Sequence, residues 1–90
     1  MSSPDLERAA AIRERLSELN PQAILFDGCD AALVAIGCQH SKPVLAVYDY
    51  DLLVEVFGGD TDAVEWVEFN IVCAWYGEHT PVILHYSSLA

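Results

Sequence analysis

Four aspartates stand in two close pairs along the chain, Asp27 and Asp30 in Asp27-Gly28-Cys29-Asp30, and Asp49 and Asp51 in Tyr48-Asp49-Tyr50-Asp51. If the chain folds as an antiparallel meander, the turn at Asp27 and the end of the strand at Asp49 lie at the same end of the sheet. The four carboxylates Asp27, Asp30, Asp49 and Asp51 then converge, and an oxygen-rich cluster suits a hard cation such as Mg²⁺ or Ca²⁺. The plainer use of the same residues is in turns and helix caps, for which Asp is well suited. Caps and turns are the favoured assignment, so no metal and no cofactor is expected.

A second group comprises Glu68 and Asn70, inside an otherwise apolar stretch, with Glu78 just beyond it. A carboxylate held among aromatic residues has its pKa raised and can serve as a general acid or base. Glu65 and Glu68, three residues apart, equally define the wet face of a helix, and most helical Glu are exposed. His40, His79 and His85 are far apart, and no His-Cys spacing resembles a zinc site. The chain has neither a Gly-rich phosphate loop with its following Lys nor a serine nucleophile elbow. These absences weigh against an enzyme.

The elements that must position these groups follow from periodicity and punctuation. Ser3 as cap, Pro4 in the first turn and Asn20-Pro21 as stop delimit a first helix, with Leu6, Ala9, Ile12, Leu16 and Leu19 on one stripe. Three strands are expected next: Ala23 to Phe26, Ala31 to Ile36 after the Asp27-Gly28 turn, and Val44 to Tyr48 after Pro43. Asp51 is the expected cap of a short helix over Leu52 to Phe57, ended by Gly58-Gly59. A longer helix is expected from Asp62 to Tyr76, apolar most of the way round and hence buried on more than one side. Pro81 to Tyr86 reads as a closing strand. The expected fold is α+β in the order α-β-β-β-α-α-β: a small antiparallel sheet of three to four strands with an N-terminal helix, a short helix and a long buried helix.

Ninety residues fit a single domain, residues 1–90, and 53% of them are hydrophobic. That surplus for so short a chain leaves room for a homodimer. Fourteen acids against four bases give a net charge of −10, which disfavours direct contact with nucleic acid. From Pro43 onward there is no Lys or Arg but eight acids, a field that attracts a basic partner. The three cysteines, the polar start and the absence of a membrane-length apolar run point to reduced thiols in the cytoplasm, with no membrane association.

The strings Asp27-Gly28, Asp30-x-Ala32-Leu33, Tyr48-Asp49-Tyr50-Asp51, Glu68-Phe69-Asn70 and Gly77-Glu78-x-Thr80-Pro81 together resemble a family of small phage and prophage proteins of unknown function. The resemblance implies a phage setting, and therefore a host-cell cytoplasm, but no activity. Small acidic phage proteins are often inhibitors of host machinery or host defence. The expectation is thus a non-enzymatic protein that binds a basic site on a host protein, such as a defence nuclease or CRISPR complex. Its contacts would be Asp49, Asp51, Glu65, Glu68 and Glu78. The alternatives are a small metal-dependent enzyme on the four-aspartate cluster and a homodimeric assembly protein.

Overall fold

The computed structural model describes residues 4–85 and shows a small α+β fold. Helix α1 spans Pro4–Leu19, with Asp5 and Glu7 in a first turn where negative charge complements the helix dipole. It buries Ala9 and Leu16, with Ile12 partly covered, while the ends of the expected stripe, Leu6 and Leu19, are exposed. Two of its arginines also face the body of the protein. Arg8 donates from Nε to Leu33 O at 3.1 Å and from Nη2 to Ala31 O at 3.0 Å. Arg13 Nη1 pairs with Asp30 Oδ1 at 3.0 Å. The helix is thus docked by its long cations as well as by its apolar stripe.

The expected strand Ala23 to Phe26 does not form. This stretch is held by single contacts instead, with Ile24 N–H donating to His79 O at 3.2 Å and Phe26 N–H donating to Tyr48 Oη at 2.9 Å. Asp27-Gly28 does turn the chain, with Gly28 at φ +77°, but the turn leads into a 3₁₀ turn, Asp30–Ala32, and does not close a hairpin. The element order is therefore α-β-β-α-α-β, with one strand fewer than expected.

Strands β1 (Leu33–Gly37) and β2 (Leu45–Asp49) pair antiparallel, with a one-residue slip at Val34 that lets the consecutive Leu33 and Val34 both be buried. Strand β3 (Val82–Leu84) lies on the other side of β2 and runs parallel to it, so the sheet is mixed. A parallel pair needs a long crossover, supplied here by residues 50–81, which carry both remaining helices. The expected closing strand included Tyr86, which lies outside the described residues.

Helix α2 (Tyr50–Val56) starts two residues earlier than expected because Asp49, not Asp51, is its cap. Asp49 Oδ1 accepts from Leu52 N–H at 3.0 Å. Helix α3 (Thr61–Val67) is capped by Asp60, whose Oδ1 accepts from Ala63 N–H at 2.8 Å. It continues as a π-helical turn over Glu68–Val72 and ends at Cys73, short of the expected Tyr76. Tyr48, Leu16, Leu33, Leu53 and Val67 form the fully buried centre, and burying a Val or Leu side chain stabilises the fold by about 1.5–3 kcal/mol. No helix among the described residues is long and apolar enough to cross a membrane.

Candidate partner-binding surface

The four aspartates that a meander would have gathered are used separately. Asp49 is 1% exposed and holds the α2 cap, and Asp30 is paired with Arg13. Asp27 is exposed in its turn, and Asp51 is exposed in the first turn of α2. Among the described residues, no three His, Cys, Asp or Glu side chains come together closely enough to hold a metal ion. The meander that was to gather the four carboxylates is absent, because Ala23 to Phe26 is not a strand. Asp49 is likewise too buried to touch a partner, which corrects its place in the expected contact set.

The other expected contact residues are distributed over the crossover. Glu68, at the start of the π turn, is half-buried and accepts a 2.8 Å hydrogen bond from Tyr50 Oη. Tyr50 in turn stacks on His85, with ring centroids 4.8 Å apart and 25° between planes. The hydrogen bond to Glu68, followed by some burial and by the charges of Glu68 and Asp51, pushes the Tyr50 phenol above its usual pKa of 10.0. Glu68 therefore acts as an acceptor fixed by a phenol, a setting between the wet helix face and the aromatic surroundings weighed for it.

Glu78 is exposed, with Oε1 3.7 Å from His79 Nε2. The ring orientation of His79 is set by Asn20, whose Nδ2 donates both to Val44 O at 2.8 Å and to His79 Nδ1 at 3.1 Å. Asn20 Oδ1 accepts from Gln22 N–H, which fixes the amide orientation. With Nδ1 as acceptor, the ring proton sits on Nε2, toward Glu78.

Glu65, exposed like Asp51 and Glu78, belongs to a different arrangement. The segment is not buried most of the way round as expected: Trp66, Phe69 and Cys73, three or four residues apart, are exposed, as is Tyr76 beyond the helix end. Val67 and Ile71 supply the buried side. Trp66 is 46% exposed, Phe69 79%, and Trp75, beyond the end of the π turn, 75%. Asp62, Glu65, Trp66, Phe69 and Asn70 line one shallow groove of about 270 Å³ along this face. Their spacing of three and four residues places them on one side of the helix.

Trp66 is backed by Phe57, with ring centroids 4.2 Å apart at 34°. Asn70 Nδ2 donates to Trp66 O at 2.9 Å. Three of the four basic residues, Arg8, Arg13 and Arg15, pair with Asp5, Asp30 and Glu18. Among the described residues, Asp62, Glu65 and Asp51 have no ion-pair partner. Asp62 was not singled out from sequence, and the helix carrying Trp66 and Phe69 was expected to be buried on more than one side. A stripe that faces a partner has the same period as one that faces a core.

Of the three cysteines, Cys29 is buried and Cys38 and Cys73 are exposed, all as free thiols. Burial, and then the charges of Asp30 and Asp27, push the Cys29 thiol above its usual pKa of 9.0, which keeps it protonated and unreactive. No protein-family model, curated protein or solved structure matches this chain.

Proposed function

We propose that this is a non-enzymatic binding protein of the small acidic phage type, which occupies a basic site on a host protein and so acts as an anti-defence inhibitor. The observation that supports this most is the outward face of α3 and the π turn. Two large aromatic side chains stand exposed there beside two acids that have no ion-pair partner among the described residues. Aromatic anchors within a charged rim are the usual composition of binding hot spots. The uncompensated negative field directs such a face toward a basic partner and away from phosphate backbones. Asp51 and Glu78, exposed elsewhere on the crossover, add to the field, and Asp62 and Glu65 make the direct contacts.

The test is retention of bacterial host proteins on the immobilised chain and on a D62K/E65K variant, with nucleic acid added as competitor. A basic protein held by the native chain, lost from the variant and displaced by nucleic acid is the expected result. Retention that survives charge reversal would sink the proposal.

A second reading, a homodimeric assembly protein, is favoured by the sheet. Beside the connection from β1 to β2 it carries a groove of about 210 Å³, lined by Cys38, Gln39, Pro43, Leu45, Val47 and Val82, with Lys42 and no acid among the lining residues. Two copies of a chain of net charge −10 repel each other least across such a face. Light scattering across a hundredfold concentration range tests it, and a constant monomer mass removes it.

A further inference from the structure

We infer that the group received by the α3 groove is the guanidinium of an arginine side chain, in preference to a lysine ammonium. This rests on the reading of that face as a site for a basic partner and goes further by naming the chemistry recognised. The groove is shallow and open, so it receives a side chain laid along its surface and not a molecule enclosed within it.

Its charged groups are both anionic. Asp62 and Glu65 contribute carboxylates, and Asn70 contributes Oδ1, because its Nδ2 is already engaged with Trp66 O. No basic residue lines it. Its remaining walls are aromatic rings, and Trp66 is steadied by its contact with Phe57.

A guanidinium matches this set on every count. It is planar, so it stacks on an indole or a phenyl ring. It is weakly hydrated, so an open groove need not strip it of water. It also carries five donors in a rigid fork that can take a carboxylate bidentately while its plane lies on a ring. A lysine ammonium is compact and strongly hydrated, and in a groove this open it keeps its water.

The experiment measures fluorescence anisotropy of two labelled nine-residue peptides, all-arginine and all-lysine, equal in length and charge, at fixed ionic strength. The native chain is expected to bind the arginine peptide about tenfold more tightly. F69A and E65Q are expected to remove most of that preference. E14Q, an exposed acid on α1, is expected to leave it unchanged. In a W75F background, which leaves Trp66 as the only indole, the arginine peptide is expected to change the tryptophan emission more than the lysine peptide does. Equal affinity for both peptides overturns the guanidinium assignment while leaving a basic partner in place. Binding of neither peptide overturns the basic-partner reading itself. A preference for arginine that F69A and E65Q leave intact places the recognition elsewhere and overturns the assignment to this groove.

Discussion

The phenol of Tyr50 donates a 2.8 Å hydrogen bond to Glu68, joining the first residue of α2 to the first residue of the π turn across 18 positions of sequence. That bond ties the short capped helix to the segment carrying the exposed aromatic face. Tyr50→Phe removes it and is expected to cost about 1 kcal/mol, read as a lower urea midpoint at neutral pH. The loss is expected to be larger than that from Glu65→Gln, because among the described residues no hydrogen bond or ion pair holds the Glu65 carboxylate.

Raising the pH is expected to unfold the protein early. Burial, the largest cause, pushes the Tyr48 phenol above 10.0, and Cys29 and Tyr50 are likewise raised from 9.0 and 10.0. In each case the folded state holds the proton more tightly than the unfolded chain. The associated stability is complete below the unfolded pKa and is lost as the pH climbs through the folded one. Stability is therefore expected to decline from about pH 9 upward, thiol first and phenols after. Urea midpoints at several alkaline pH values check this, and Cys29→Ala should flatten the earliest part of the decline. A midpoint constant up to pH 11 would contradict the burial of these groups.

The α2 cap separates two aspartates that look alike. Asp49→Ala is expected to destabilise the protein by about 0.5–2 kcal/mol, because Leu52 N–H loses its acceptor at a buried position. Asp49→Asn retains a capping oxygen and should cost less. Asp51→Ala removes only a first-turn charge and should cost less than the loss of the cap. Equal effects at the two positions would show that the cap assignment is wrong.

That pair also shows what sequence could and could not supply. Asp49 and Asp51 are both credible caps two residues apart. The choice depends on where β2 stops, which its pairing with β1 and β3 decides. The extent of α1 was legible because Pro4 and Asn20-Pro21 act locally. The existence of β3 was legible from its apolar run, but its parallel partner was not, since register with β2 depends on the whole crossover. Ala23 to Phe26 has strand composition without a strand, because the chain gives it a tyrosine hydroxyl and a lone carbonyl to bond and no neighbouring ladder. Trp66 and Phe69 lie on a real helical stripe whose period does not say whether protein or solvent faces it.

Two neighbours on the π turn make that last distinction measurable. Ile71 is in the core cluster, and Ile71→Ala is expected to cost about 2–5 kcal/mol through the cavity it leaves. Phe69 is mostly solvent-exposed, so Phe69→Ala should change stability by no more than about 0.5 kcal/mol while weakening the arginine-peptide contact. Denaturant unfolding of both variants checks the split. A large loss from Phe69→Ala would mean that this ring is covered in solution, as it would be in a dimer through this face.

The turn before β3 offers a control for the binding face. Thr80 is nearly buried, and its hydroxyl accepts from Tyr76 N–H at 2.8 Å while donating to Gly77 O at 2.7 Å. Gly77, at φ +103°, adopts a backbone that a residue with a Cβ resists, so the turn is held by both conformation and hydrogen bonds. Thr80→Val keeps the shape but removes the hydroxyl. Gly77 O retains the Thr80 N–H at 3.2 Å, so the main loss falls on Tyr76 N–H. The expected cost is about 1–3 kcal/mol, with Thr80→Ser costing less. Amide exchange should quicken across Val82 to Leu84, because this turn delivers the strand to its place beside β2. Affinity for the arginine peptide should not change, since the groove draws all its lining residues from 62 to 70. If Thr80→Val instead weakened binding as much as Glu65→Gln, the recognition surface would have to extend past the π turn to Trp75, Tyr76 and the Gly77–Thr80 turn.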